Sequence, residues 1–326
     1  MTPAFRIMVA GEDATGAVAD RLLGLTVTDE DGTKADRLEL ELDNRDGKLA
    51  FPETESRIEV ALGFAGQPLA LMGEYAVDGV SGSGPRLTMR ITATAADLKG
   101  DIRAPRTRGW EGKSLRDIVG TIAGEAGLRA VVGDSVAGKV WDYLAQTAES
   151  NLHFLTRIAG TLDATAKPAG GALIVQRRGE GKTAAGDRLT PPQLSRHRFT
   201  DWDWQFEGRA IWRAAEAEWT ETATGQTHKV KLGQGTPLKK IRHPFATEAE
   251  ATRAAEAALS GAARAAMTLN ATLAGFEPGL LGGGTATISG LIPAELDGEW
   301  HLESVTHALS SAGLITSFRG KKGESA

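Results

Sequence analysis

Residues 146–159 read Gln-Thr-Ala-Glu-Ser-Asn-Leu-His-Phe-Leu-Thr-Arg-Ile-Ala. Leu152, Leu155, Ile158 and Ala159 recur at helical spacing, which predicts an amphipathic helix over about Glu149 to Gly160. Working back along the chain, Ser114 is a suitable N-cap for an earlier helix carrying Leu115, Ile118, Val119, Ile122 and Ala123 on one stripe. Gly127 is placed to stop that helix. Leu128 to Val132 and Leu173 to Gln176 are short apolar runs that read as strands. The stretch 110–178 therefore predicts a compact α/β unit, the body of an insertion spanning 109–190.

Both flanks of that unit read as strands and turns. Upstream, Leu38, Leu40 and Leu42 alternate with Glu39, Glu41 and Asp43, and Ile58, Val60 and Leu62 alternate with Glu59 and Ala61. Leu87, Met89, Ile91 and Ala93 continue the pattern after a hairpin punctuated by Gly82, Gly84 and Pro85. Downstream, Trp202, Trp204 and Phe206 alternate with Asp203 and Gln205. Ile211 to Glu221 and Thr227 to Leu232 flank a turn at Ala223–Gln226. Thr247 with Glu250 forms a capping-box pattern that opens an Ala-rich helix over 247–266. Strands are expected at Met267 to Leu273, Thr285 to Ser289, Trp300 to Leu309 and Ile315 to Arg319, with residues 321–326 as a frayed tail. The fold class that follows is α+β and predominantly β: a first β domain over 1–108, the α/β insertion, and a second β domain over 191–320. Short strands at close spacing predict sandwiches or barrels.

Composition narrows function by exclusion. A chain of 326 residues can bury about 75% of its unfolded surface, so it needs no disulfide or metal to fold. The absence of cysteine removes thiolate metal sites and cysteine nucleophiles. A net charge of -5 argues against a whole-protein basic field for nucleic acid. No run approaches the ~20 apolar residues that span a bilayer, and the N-terminus lacks a secretory pattern. Neither membrane insertion nor specific nucleic-acid binding is expected, and synthesis and folding in a cytoplasm are.

The chemical motifs are incomplete. Gly133 to Lys139 matches the start of a phosphate-binding loop, but Val140 stands where a hydroxyl should follow. Gly112-Lys113-Ser114 and Gly181-Lys182-Thr183 have the end of that motif without its first glycine. His301 and His307 lie on one face of a regular strand but about 20 Å apart, too far to share a metal. The remaining histidines, His153, His197, His228 and His243, form no ligand pattern. No G-x-S-x-G elbow occurs. The carboxylate pairs Asp201/Asp203 and Glu216/Glu218 read as solvated strand faces. Trp202, Trp204, Phe206, Trp212 and Trp219 read either as barrel core or as a protein–protein contact. No catalytic, cofactor-binding or metal-binding residue is assigned, and no cofactor is expected.

The order of these segments carries a resemblance. Residues 146–159 are similar to the Q-x-x-E-S-D-x-x-F-L-x-R-L-A pattern of the phage late control gene D protein family, the baseplate hubs of contractile tails. Type VI secretion spike proteins share that pattern. Asn151 stands where Asp is usual, a departure expected to cost only a helix-start charge. Trp110 to Leu128, the turn at Gly225, the helix start at Thr247 and Gly298-Glu-Trp-His-Leu-Glu-Ser-Val-Thr-His307 resemble the family in the same order. The likeness covers roughly Ser56 to Arg319 and is firmest over 110–178 and 285–319.

The resemblance implies two β-barrel domains of hub type with an α/β insertion. It implies a structural, non-enzymatic hub that forms a homotrimeric ring and adapts a six-fold tail tube to a three-fold spike. The implied partners are the spike, tail tube, tape measure and other baseplate proteins, in a particle assembled in the host cytoplasm. The spike is expected as a separate polypeptide, because no needle follows, and no added module is left to hold a cell-wall hydrolase. Two other readings stay open. One is a tail-associated hydrolase of peptidoglycan or phosphodiester, with His153 and Glu149 as its pair. The other is the hub ring of a type VI secretion spike lacking its needle.

Overall fold

The computed structural model describes residues 1–32, 35–95, 102, 104–178, 190–206, 212–221, 224–264 and 267–322. Its strands, in chain order, are β1 (Pro3–Val9), β2 (Glu12–Asp13), β3 (Leu22–Glu30), β4 (Arg37–Asp43), β5 (Arg57–Phe64), β6 (Ala70–Ser83) and β7 (Thr88–Ala95). Then come β8 (Pro105–Ser114), β9 (Arg129–Val132), β10 (Val140–Ser150), β11 (Ala164–Ala169) and β12 (Ala172–Arg177). The rest are β13 (Gln193–Ser195), β14 (Phe199–Phe206), β15 (Ala214–Thr220), β16 (Thr227–Gly233), β17 (Leu238–Lys240), β18 (Met267–Leu273), β19 (Thr285–Ser289), β20 (Gly298–Ser310) and β21 (Gly313–Lys322). The helices are α1 (Thr15–Ala19), α2 (Leu115–Glu125), α3 (Asp134–Ala137), α4 (Asn151–Gly160) and α5 (Glu248–Arg264). The chain is predominantly β, as its alternating sequence predicts.

Helix ends follow local chemistry. Ser114 accepts from the Asp117 amide while the Asp117 carboxylate reaches back to the Ser114 amide, a closed capping box on α2. At the other end Leu128 N–H reaches Ala123 C=O at 2.8 Å, with Gly127 at φ +69, where a side chain would be strained. The second helix begins two residues later than the periodicity predicts. Ser150 is its N-cap, bonding the His153 amide at 3.2 Å, so Glu149 and Ser150 complete β10 instead. At α5 only half of the expected box forms. Thr247 Oγ1 accepts from the Glu250 amide at 3.3 Å, whereas the Glu250 carboxylate faces Lys139 at 4.0 Å.

The two β-rich flanks share one sheet. Among the described residues a 13-stranded sheet runs β14-β18-β21-β20-β3-β4-β7-β6-β5-β1-β2, with β13 and β19 branching from β20. The join is antiparallel pairing of β20 with β3, from Ser304↔Glu30 to Ser310↔Gly24. A bulge between Leu302 and Ser304 lets β20 serve β19 before it and β3 after it. Among the described residues the strand path keeps open ends and does not close on itself. β21 runs through Lys322, two residues into the stretch expected to fray, because Lys322 pairs with Met267 and donates to Glu295 C=O at 2.9 Å.

Three apolar cores support this frame. Ile7, Leu25, Leu40, Val60, Val77 and Met89 fill the first flank, joined by Leu309 and Leu314 from β20 and β21. Phe199, Leu269, Trp300, Leu302, Val305 and Phe318 fill the second. The insertion has its own core, in which α2 and α4 cover β9, β11 and β12 with Ile118, Ile122, Phe154, Leu155 and Leu173. A smaller unit pairs the sheet β16-β15-β17 with α5. Among the described residues no helix is long and apolar enough to cross a membrane.

Candidate functional site

The signature stretch builds a polar knot inside the insertion. Gln146 and Asn151 are both 0% exposed. Arg108, on β8, donates to Gln146 Oε1 at 2.9 Å, Asn151 Oδ1 at 2.8 Å and Glu125 Oε1 at 2.6 Å. Gln146 Nε2 donates to Asn151 Oδ1 and to Glu149 C=O, both at 3.0 Å. The Arg108 contact, ahead of the cost of burial, holds the Glu125 carboxyl below the usual range. Arg108 also lies 4.2 Å from the Trp110 ring centroid, and Trp110 stacks on Phe154 at 6.0 Å. Asn151 is thus more than a lost helix-start charge. Its Nδ2 donates to Glu125 Oε2 at 3.3 Å, a bond that an aspartate could not make.

A second cluster pins the insertion to the main sheet. Lys167, on β11, donates to Asp29, to Asp36 at 2.9 Å and to Glu30 C=O at 2.6 Å. Arg178 donates to Asp31 Oδ2 at 2.6 Å, and His301 Nε2 lies 2.9 Å from the same oxygen. Burial, then the neighbouring Asp29, pushes the Asp36 carboxyl up to about 7. Burial also opposes ionisation of Asp31, but His301 and Arg178 prevail and hold it below its usual value. Asp29, Asp31, Asp36 and Lys167 line a cleft of about 760 Å³ between insertion and sheet. Its wall at Gly282 is tight: a Cβ there would come within 2.6 Å of Asp29 C=O.

The expected site residues are scattered. Gly133 to Lys139 wraps the four-residue helix α3, and Lys139 faces Glu250 and the Trp141 ring. Ser114 of Gly112-Lys113-Ser114 is engaged by Asp117 at 2.6 Å. Gly181-Lys182-Thr183 lies outside the described residues. His153 meets Glu149 at 3.6 Å on an exposed helix start, but that carboxylate is also taken by Arg157, whose Nε is 3.2 Å away. The β20 bulge puts His301 and His307 on opposite faces, correcting the expectation of a shared one. His307 turns into the core against Thr316 at 2.9 Å, and its burial pulls it down to about 4. Glu216 and Glu218 both meet Lys229 at 3.3 Å, a surface ladder. Ser195 and His197 meet at 3.0 Å on an exposed turn. Among the described residues no group of three or more His, Asp or Glu side chains could hold a metal.

The aromatics divide. Trp202 is half-buried, 6.5 Å from Phe199 and capped by Arg196 at 4.2 Å. Trp219 stacks on His228 at 4.6 Å. Trp204 is 45% exposed, Phe206 46% and Trp212 38%. The core reading therefore fails for three of the five. On the opposite face of the main sheet, the strand registers align Asp201 and Asp203, Asn270 and Thr272, Ser317 and Arg319, Ser304 and Thr306, then Glu30 and Thr28; two residues along β3 the same face continues through Thr26, Glu39 and Glu41 to Arg90 and Thr92. None is buried, and Arg90 offsets Glu39 at 3.3 Å. This largely polar face crosses both flanks.

Comparison with known proteins bears on this architecture. The chain is 27% identical over 357 aligned positions to the probable baseplate hub protein of Escherichia phage 186, covering 97% of this chain and 92% of that one. The crystal structure of the prophage MuSo2 43 kDa tail protein from Shewanella oneidensis superposes with a TM-score of 0.74 at 14% identity, covering 98% of each chain. The E. coli c3393 protein, described as a component of the type VI secretion system, gives a TM-score of 0.58 at 11% identity, covering 99% of this chain and 77% of that one. The model of the phage tail baseplate hub (GPD) family matches residues 85–313, well over half of the chain. By that match, this chain is a member of the phage tail baseplate hub family.

Proposed function

We propose that the chain is a non-enzymatic hub subunit, three copies of which form a ring at the end of a contractile tail or related particle. The first β domain (1–108) and the second (191–320) each act as a barrel-like unit, so three subunits present six similar neighbours to a six-fold tube and three to a spike. The insertion (109–190) packs against the sheet and braces this frame. The tail tube and tape measure bind one side of the ring, the spike and other baseplate proteins the other, after assembly in the host cytoplasm.

The observation that carries this reading is the largely polar face that crosses both flanks. A mainly polar face, on which Arg90 offsets Glu39 and Arg319 offsets Glu303, suits the lining of a channel that must let cargo pass without adhering. Light scattering with mass determination, followed by imaging of the purified chain with and without its spike, tests the reading. A three-fold ring with an open centre is the expected result. A monomer at every concentration, with spike present, overturns it.

A further inference from the structure

The sheet path ends at β14, whose outer edge has no strand neighbour among the described residues. An open edge carries unpaired N–H and C=O groups and invites another strand. On one face of β14 stand Trp202, Trp204 and Phe206, and on the other Asp201 and Asp203. The small sheet β16-β15-β17 has, among the described residues, an open edge of its own at β16. There His228, Val230 and Leu232 alternate with Lys229 and Lys231. The two edges have the same period and opposite charge. In this fold they belong to separate sheets and do not pair with each other.

We propose that β14 of one copy pairs with β16 of the next, joining subunits head to tail. The pairing rests on the ring reading above and names its interface. With Trp202 opposite Val230, in either strand direction, the apolar side chains share one face and Asp201 and Asp203 fall beside Lys229 and Lys231 on the other. Asp201 and Lys231 have no side-chain ion-pair partner among the described residues. Asp203 accepts from Asn270 at 2.9 Å, and Lys229 already bridges Glu216 and Glu218, so Asp201 and Lys231 bring the free charges. The exposed faces of Trp204 and Phe206 would then extend the apolar layer in which Val230 and Leu232 pack with α5. Such a contact is heterologous: each copy gives one edge and receives on the other, and closure into a ring leaves neither open.

Charge reversal tests the pairing on the full chain. Asp201→Lys with Asp203→Lys should weaken self-association roughly tenfold or more, since each cross-strand pair turns repulsive. Lys229→Glu with Lys231→Glu should do the same. The quadruple variant should recover assembly, while thermal melts show every variant folded. The cysteine-free sequence allows a second readout. A mixture of Trp202→Cys and Val230→Cys chains, the two positions that face each other in that register, should form a disulfide-linked pair on oxidation, and neither variant alone should. If the double variants assemble like the wild type, if the quadruple gains nothing, or if an assembled cysteine mixture fails to cross-link, the pairing is wrong although a ring still stands. A wild-type chain that stays monomeric overturns both.

Discussion

The signature stretch and the edge strand β14 invert the usual division between inside and outside. Gln146 and Asn151 are polar and fully buried, whereas Trp204 and Phe206 are aromatic and about half exposed. The first arrangement is tolerable because every buried polar atom of Gln146 and Asn151 sits within reach of Arg108, Glu125 or a backbone carbonyl. The second leaves apolar surface and an open strand edge in water, which the proposed neighbouring copy would cover. The contrast separates two kinds of distinctive sequence: one fixes a fold internally, the other is free to meet a neighbour. The residues that carry the resemblance at 146–159 thus include internal ones, Gln146 and Asn151, away from the proposed contact.

Substitutions can break this contrast in order of size. Arg108→Ala strips Gln146, Asn151 and Glu125 of their shared donor and should cost about 3 kcal/mol by urea denaturation, while any remaining folded chain keeps its self-association. A loss below about 1 kcal/mol would show that the knot is not what holds α4 in place. Asp36→Asn comes next and shows itself through pH. With its carboxyl raised to about 7, folded Asp36 keeps a proton that the unfolded chain has released above about pH 4. Its stabilisation is complete below the unfolded value and disappears as pH rises through about 7. His307, lowered to about 4, runs the other way, adding stability above 6.5 that is lost as pH falls toward 4. The difference between variant and wild type isolates Asp36. The variant should gain on the order of 2 kcal/mol relative to wild type between pH 5 and pH 8.

Asn151→Asp sharpens the comparison further. It sets a second carboxylate beside Glu125. Stability should fall by about 1 kcal/mol at neutral pH, and Glu125→Gln in the same chain should return most of it. Additive losses in that double-mutant cycle would uncouple the two positions. The smallest effect on folding belongs to Trp204→Ser, which should change stability by no more than about 0.5 kcal/mol while weakening assembly. A large loss of folding stability would move Trp204 from the edge into the core.

Much of the architecture was legible in alternation. Leu38, Leu40 and Leu42 mark β4, Ile58 to Leu62 mark β5, and the α2 stripe from Leu115 to Ala123 lies buried as its spacing predicts. Alternation misled at Leu87, which sits exposed in the turn before β7 at φ +46. The long ribbon of β8 and β10 was not visible, because its residues follow neither period cleanly and its support comes from across the pair. Of the polar clusters, Gln146 and Glu149 stood out by pattern. Arg108, Lys167 and Arg178 did not, since their partners lie 17 to 147 positions away in the chain.

The sequence by itself determined the strand-rich flanks, the helical insertion between them and the family to which they belong, because periodic burial and capping act between residues a few positions apart. Only the tertiary structure decided that the flanks join as one sheet at β20 and β3. It also decided that one inserted residue at Glu303 turns His301 away from His307, and that β14 ends the sheet with its aromatics in the open. Register and edge position depend on which distant strand arrives alongside, and nothing in a local pattern encodes that choice.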